Sequence, residues 1–163
     1  MTILRRRAAF AVPLLVLLLG PPAQAGTRVT DCTAQQTHSA LVSFAAAFNA
    51  ADYRRLDTLF AGRRWFHWYS SSDPGRRTDP QARRRDTLLT YFRSRHARRD
   101  RIRLVSFTFN GNTLGYGNFV WRLRRSAGDF RGGAWFTADA KGAALCDGTS
   151  TTFVVLSIGG PAS

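Results

Sequence analysis

The sequence predicts an α+β domain in which three helices precede a run of antiparallel strands. Apolar residues recur at helical spacing in the first half of the chain, and alternating apolar and polar residues follow in the second half. Gly, Asn and Asp separate the alternating segments, as they do at turns between strands. Helices followed by strands are the order of an α+β fold, whereas parallel sheets alternate the two elements.

Two helices are expected over residues 34–60 and a third after Asp86. Leu41 and Phe48 are seven residues apart, with Phe44 and Ala45 between them, so all four lie on one helical face. Asp52 is a suitable N-cap for the second helix and Asp86 for the third, because an aspartate side chain can accept the first free backbone amides. The exposed face of the third helix is expected to carry its arginines, which are Arg93, Arg95, Arg98 and Arg99.

The expected strands begin with a short aromatic one over residues 65–70. Its alternation places Trp65, His67 and Tyr69 on one face. Asn110-Gly111 is typical of a tight hairpin turn and should end the next strand. The later strands are expected at 105–109, 118–125, 131–138, 141–146 and 153–158.

The first 25 residues have the three parts of a secretory signal. Three arginines at positions 5–7 precede an apolar run over residues 8–19, and Ala23-Gln24-Ala25 supplies the small residues that a signal peptidase needs. The alternative is a membrane anchor, but a span needs about 20 apolar residues. Cleavage after Ala25 is therefore expected. It would leave one domain over 26–163 in the cell envelope or outside the cell, with no transmembrane segment.

The chain is strongly basic. Arginine supplies all but one of its 24 basic residues, every acid is Asp, and loss of the three signal arginines takes the formal net charge from +14 to +11. Such a charge could attract a polyanion such as nucleic acid, wall polymer or lipid headgroups. The alternative is a solvated, solubilising surface, which we favour because no nucleic-acid-binding motif accompanies the arginines.

Cys32 and Cys146 are the two cysteines of the chain. In an oxidising compartment such a pair predicts a disulfide. Closing a loop of more than about 100 residues would stabilise the fold by about 4–5 kcal/mol. The alternative is a redox or nucleophilic pair, but there is no Cys-x-x-Cys, and neither cysteine has an adjacent His or basic cluster to lower its pKa.

The order of elements resembles the nuclear transport factor 2-like superfamily, which includes ketosteroid isomerase and polyketide cyclases. The residues that carry the resemblance are 44–52 with Leu56 and Leu59, and the segments 65–69, 88–99, 115–119 and 142–146. The resemblance implies a cone-shaped barrel of a curved antiparallel sheet packed by three N-terminal helices. It also implies a pocket at the wide end, where ligands or a partner subunit bind.

The candidate catalytic residues are His67 and Asp139. A pocket enzyme of this shape would need an acid and a base, and most other aspartates lie at turn or cap positions. The candidate pocket-lining residues are Trp65, His67, Tyr69, Tyr116, Trp121 and Trp135. The alternative is that these rings fill the core instead of lining a cavity. The three histidines have no spacing that suits a metal, so neither a metal nor a cofactor is expected.

Three functions remain open. The favoured one is an exported, non-catalytic domain that binds a small apolar ligand or a partner, with a homodimer through the sheet as one form. The second is an isomerase, cyclase or dehydratase that uses His67 with Tyr69 or Asp139. The third is a polyanion-binding surface protein driven by arginine. The first is favoured because the aspartates that the second needs are expected to have structural roles.

Overall fold

The computed structural model describes residues 30–62, 67–69 and 82–159, with the side chains of Tyr69 and Arg131 left out. The predicted signal peptide and Trp65 lie outside these residues. The helices are α1 (Ala34–Ala50), α2 (Tyr53–Thr58) and α3 (Arg85–Ala97), and a 3-10 turn spans Arg131–Gly133. The strands are β1 (His67–Tyr69), β2 (Arg101–Thr113), β3 (Tyr116–Ser126), β4 (Phe136–Cys146) and β5 (Thr151–Ser157). Within the described part of the chain, no helix combines the length and apolar character needed to cross a bilayer.

Side-chain caps begin the first two helices. Thr33 and Gln36 form a reciprocal capping box at the start of α1, and the predicted cap Asp52 accepts a hydrogen bond from the backbone N–H of Arg55 at 3.0 Å. The predicted cap Asp86 is wrong, because α3 begins one residue earlier, at Arg85. Arg85 donates to the Asp57 carboxylate at 2.7 Å, which ties the start of α3 to α2. Asp86 instead lies in the first turn, where its negative charge complements the helix dipole.

The five strands form one open sheet in the order β1-β5-β4-β3-β2. Every neighbouring pair is antiparallel except β1 and β5, which run parallel. The α+β prediction is confirmed, and the expectation of a wholly antiparallel sheet is corrected at β1. A parallel pair requires a long crossover between its strands, and here α3 and three strands separate β1 from β5.

At two places where the sequence predicts that a strand ends, the strand continues. Asn110-Gly111 does not end a strand, because β2 runs through it with a bulge between Phe109 and Gly111. The hairpin turn lies instead at Leu114-Gly115, where both residues have positive φ, of 52° and 79°. The strand predicted at 141–146 and the last three residues of the one predicted at 131–138 form a single strand, β4, since its pairing with β3 continues without a break from residue 136 to residue 145. The start of the segment predicted at 131–138 is instead the 3-10 turn Arg131–Gly133.

The face of the sheet that packs against the helices, the inner face, forms the core with them. Alternation along β3 buries Phe119, Trp121 and Leu123 there, as the sequence predicts. Phe44 of α1 lies at the centre, with ring centroids within 6.4 Å of six other rings, those of Phe48, Phe60, Trp68, Phe92, Trp121 and Phe153. Edge and tilted contacts of this kind add to the free energy of burying the rings.

The predicted disulfide between Cys32 and Cys146 is present, with the two Cα atoms 5.3 Å apart. It joins the residues before α1 to the end of β4. Asn112 of β2 holds the same segment, because its side chain both donates to and accepts from the backbone of Cys32 at 2.9 Å. Gly117 leaves room for this close approach: a Cβ at residue 117 would lie 2.6 Å from that of Cys32.

A buried ion cluster closes the opposite end of the core. Asp100 is fully buried and accepts hydrogen bonds from Arg95 at 2.7 Å and from Arg125 at 2.6 and 3.1 Å. Arg95 also binds the carboxylate of Asp129 through two nitrogens, at 2.7 and 2.9 Å. The two guanidiniums lie 4.8 and 4.9 Å from the ring centroid of Phe130. The prediction that Arg95 belongs to an exposed basic face is therefore wrong.

Candidate functional site

The structure does not bring the two catalytic candidates together. Trp68 packs against helix residues, so alternation places His67 on the opposite face of the sheet, the outer face. Asp139 is also on the outer face, because its neighbours Ala138 and Ala140 are buried on the inner one. His67 is level with Val155 and Ala143, two strands across from β4 and four residues along it from Asp139. Strand geometry makes this separation about 16 Å, far beyond hydrogen-bond reach.

Asp139 is engaged by a neighbour. Arg122, directly opposite on β3, donates two hydrogen bonds to its carboxylate at 2.7 and 3.2 Å. The hydrogen bond from Arg122 lowers the pKa of Asp139 below its usual range. A general base that works near neutral pH needs a raised carboxyl pKa, so this geometry does not prepare Asp139 for catalysis.

His67 is half-buried. Burial lowers the pKa of its imidazole, and the positive charge of Arg83 lowers it further. The neutral ring is thus favoured at neutral pH. Its predicted companion Tyr69 follows in β1, and the side chain of Tyr69 lies outside the described residues.

The predicted pocket-lining residues whose side chains the structure describes, His67, Tyr116, Trp121 and Trp135, do not surround one cavity. Trp121 belongs to the core: it contacts Phe44 and donates its indole N–H to the Ser157 carbonyl at 3.1 Å. Tyr116 is on the outer face, because it is five positions before Trp121 along β3 and an odd offset changes the face. Trp135 directly precedes β4 and is 36% exposed. Its ring lies on the outer face of the sheet, next to arginines of β2 and β3. These described side chains therefore divide between the two faces of the sheet, which corrects the prediction that they share one lining.

The outer face carries a basic cluster around Trp135. Arg103 of β2 and Arg124 of β3 are directly opposite each other in the strand register. Their guanidiniums lie 4.7 and 5.8 Å from the centroid of the Trp135 ring. We call these three residues the Arg–Trp–Arg cluster. Arg101, two residues before Arg103 on the same strand face, extends its positive charge by about 7 Å.

The cluster has no acidic counterpart among the residues that the structure describes. The ion pairs among the described residues join aspartates to arginines outside the cluster. The aspartates are Asp57, Asp86, Asp100, Asp129 and Asp139. Like charges directly opposite on a sheet destabilise it, and stacking on an indole offsets only part of this cost. An anion at this place would remove the repulsion.

The sequence pattern singles out Trp135 as a candidate lining residue but associates no arginine with it. The alternation of β3 does predict that Arg122 and Arg124 share a face. Their partners across the sheet depend on the register, which includes a bulge between Leu104 and Ser106 of β2.

Apolar side chains lie among these arginines. Val105 and Val120 on the outer face are 54% and 43% exposed. A groove of about 400 Å³ runs beside Val120 and is also lined by Ser106, Thr108, Arg122 and Asp139. Exposed apolar side chains ringed by polar ones are typical of a binding surface.

A second groove, of about 550 Å³, lies between α1, α2 and the turn before β5. Hydroxyl and amide side chains dominate its lining, and Arg55 supplies its one basic group. Within the described ranges, no cluster of three or more His, Cys or Asp residues could hold a metal ion.

Comparison with known proteins identifies the fold. The sequence matches no protein-family model and no curated protein. A nuclear transport factor 2-like protein of unknown function from Shewanella oneidensis is 8% identical, with 77% of this chain and 98% of that chain covered and a TM-score of 0.54.

Two further solved structures are similar. The beta subunit of benzoate 1,2-dioxygenase from Burkholderia mallei is 8% identical, with 80% of this chain and 91% of that chain covered and a TM-score of 0.58. A ketosteroid isomerase-like protein from Erwinia carotovora is 12% identical, with 79% and 96% covered and a TM-score of 0.52. At such low identity the likeness concerns architecture and not activity. The chain therefore has the nuclear transport factor 2-like α+β fold.

Proposed function

We propose that this chain is an exported, non-catalytic domain that binds an anionic partner through the outer face of its sheet. The observation that carries the proposal is the pair Arg103 and Arg124, opposite each other in the strand register with no acid of the described chain bound to either. A partner that brings negative charge would relieve their repulsion, and the exposed Val105 and Val120 farther along the same face would gain apolar contacts.

Export is supported by the signal pattern of residues 1–25 and by the bond between Cys32 and Cys146. Structural disulfides persist mainly in oxidising compartments. Secretion or transfer to the cell envelope is tested by mass spectrometry of the protein recovered from a host cell. The expected mass is that of a chain that begins at Gly26, and it is about two hydrogens lower than the mass of the same chain in reduced form. A full-length product that remains in the cytoplasm would contradict export.

The non-catalytic part of the proposal is supported by the positions of His67 and Asp139. They are about 16 Å apart by strand geometry, and the carboxylate is bound by Arg122. The named activities of similar folds, such as benzoate 1,2-dioxygenase, belong to those proteins. An acid–base pair needs hydrogen-bond reach to a shared substrate, which these two side chains lack.

Charge disfavours a second copy of this chain as the occupant of the outer face. A two-fold interface uses the same patch on both subunits. If that patch included the Arg–Trp–Arg cluster, the arginines of one copy would meet those of the other. Asp139 is an acid of this face and is already bound to Arg122, so it offers the other copy little negative charge. An anionic partner fits the face better than a homodimer does.

The proposal is tested by retention on a heparin column over a salt gradient. The test variant replaces three outer-face arginines with glutamine, at Arg101, Arg103 and Arg124. The control makes the same change at three exposed arginines of α3 and the turn after it, Arg93, Arg98 and Arg99. Both variants lose three charges, so net charge alone predicts equal shifts in the eluting salt concentration.

We expect the outer-face variant to elute at clearly lower salt than the native chain, and the control variant to elute near it, because phosphate- and sulfate-type contacts are local. Equal shifts for the two variants would show that retention depends on diffuse charge, and the proposed face would be wrong. Size-exclusion chromatography of the same three proteins checks for self-association. A dimer that requires the outer-face arginines would overturn the charge argument above.

A further inference from the structure

The chain contains two arrangements in which a pair of arginines contacts one aromatic ring. In the buried one, Arg95 and Arg125 lie 4.8 and 4.9 Å from the centroid of Phe130. In the exposed one, Arg103 and Arg124 lie 4.7 and 5.8 Å from that of Trp135. A guanidinium that packs on an aromatic ring can still donate its N–H groups to oxygen atoms.

The buried arrangement shows what such a pair binds. The Asp100 carboxylate receives two hydrogen bonds from Arg125 and one from Arg95. Arg95 binds a second carboxylate, that of Asp129. The two guanidiniums are thus bound by two carboxylates, and the exposed Arg98 also pairs with one of them, Asp129, at 3.2 Å.

The exposed arrangement has the same two positive charges, and no carboxylate of the described residues binds either arginine. We propose that the Arg–Trp–Arg cluster is a binding site for a phosphate monoester group or free phosphate. One such group carries about −1.5 to −2 charges at neutral pH and three acceptor oxygens. It therefore supplies in a single ligand what two aspartates supply to the buried pair. A carboxylate would neutralise only half of the charge.

This inference rests on the proposed function, since the phosphate group is taken to belong to the anionic partner. The position of the cluster suits that role. Trp135 is 36% exposed. The neighbouring Arg101 adds a third positive charge, and its guanidinium donates a hydrogen bond to the Asp100 carbonyl at 2.9 Å. The arginine next along β3 on this face, Arg122, is already bound to Asp139. Among the described arginines of β2 and β3 on the outer face, those without a carboxylate partner therefore lie together at one end, and Lys141 of β4 lies level with Val120, four residues along β3 from Arg124.

The experiment is a titration of the mature, oxidised chain with inorganic phosphate at pH 7.5 and constant ionic strength, followed by NMR. The signals are the arginine side-chain N–H groups and the indole N–H of Trp135. We expect saturable shifts of Arg103, Arg124 and Trp135. Replacing either cluster arginine with lysine should weaken the binding about tenfold or more, since lysine keeps the charge but loses the two-pronged donor geometry.

The matched control is Arg122→Lys, which changes an arginine on the same strand face that already has a carboxylate partner. It should leave the phosphate affinity unchanged. A non-saturable response, or equal effects of Arg103→Lys and Arg122→Lys, would overturn the proposed site. Acetate that binds as tightly as phosphate would overturn the choice of a dianion.

Two further results separate this inference from the proposed function. Heparin retention that depends on the outer face, with no saturable phosphate site, leaves the proposed function standing and removes the inference. Saturable phosphate binding at the cluster without heparin retention that depends on the outer face supports the phosphate site and contradicts the proposed function. A titration with glycerol phosphate, a simple phosphate monoester, identifies the source: tighter binding than inorganic phosphate, lost in Arg124→Lys, supports a phosphate group carried by a larger molecule, and equal binding supports free phosphate.

Discussion

The fully buried Asp100 allows a sharp test of what holds this fold together. Asp100→Asn keeps the shape of the side chain but removes the negative charge that Arg95 and Arg125 share. Arg95 retains Asp129, whereas the described carboxylate contacts of Arg125 are all to Asp100. Removing one partner of a buried ion pair typically costs about 3–5 kcal/mol. The free energy of unfolding of a domain is about 5–15 kcal/mol, so a large part of the stability should be lost.

The control is Asp139→Asn, the same change in an aspartate that also binds an arginine through two oxygens. The side chains of that pair are 57% and 54% exposed. Solvent screens such a pair, and its loss should cost about 0–1 kcal/mol. The two aspartates differ in burial and in the number of arginines that they bind, which is two for Asp100 and one for Asp139.

The assay is equilibrium unfolding in urea, with the midpoints compared at equal m-value. Should Asp100→Asn fail to fold, the double variant Asp100→Asn with Arg125→Met removes the guanidinium as well and is expected to recover stability, because an apolar replacement of a buried ion pair is often neutral. Similar midpoints for Asp100→Asn and Asp139→Asn would refute the reasoning, as would a double variant less stable than Asp100→Asn.

Two further predictions concern the disulfide and the turn before β5. Cys32 and Cys146 are 114 residues apart, and replacing both with serine should lower the free energy of unfolding by about 4–5 kcal/mol. In urea unfolding, a reductant should destabilise the native chain by a similar amount and leave the variant unchanged. Hydrogen bonds lower the pKa of Asp147 to about 2, and the one from the Ser150 side chain has the largest effect. The ionised carboxylate therefore stabilises the turn fully above the ordinary pKa of about 3.9, and this stabilisation is lost as the pH falls toward 2. NMR titration of the carboxyl carbon should show this, and the Thr149 and Ser150 amide shifts should lose their pH dependence in Asp147→Asn; a midpoint near the ordinary pKa would contradict it.

Local patterns in the sequence were sufficient for much of the fold. The helical spacing of Leu41, Phe44 and Phe48 predicted a buried helix face, and all three are fully buried. The Asp52 cap was predictable because the bond that it makes spans only three residues. The same holds for the alternation of β3, which depends on the pleat of a single strand.

Contacts between distant segments limited the rest. Arg85 begins α3 early because it binds Asp57, 28 residues away, and no local pattern contains that partner. Asn110-Gly111 has the composition of a turn, but pairing with β3 continues past it. Burial of Arg95 depends on Asp129, 34 residues along the chain, so a helix pattern alone assigned Arg95 to the surface.

By itself, then, the sequence determined the α+β class, the core faces of α1 and β3, and the pair of cysteines that bond, because each depends on short-range periodicity or on there being a single possible partner. Only the tertiary structure decided that His67 and Asp139 are apart, that Trp121 and Trp135 lie on opposite sides of the sheet, and that Arg103 and Arg124 meet over one ring. Those placements depend on strand order and register, and they are set by the packing of the whole sheet because a shift of one residue would move every side chain of a strand to the other face.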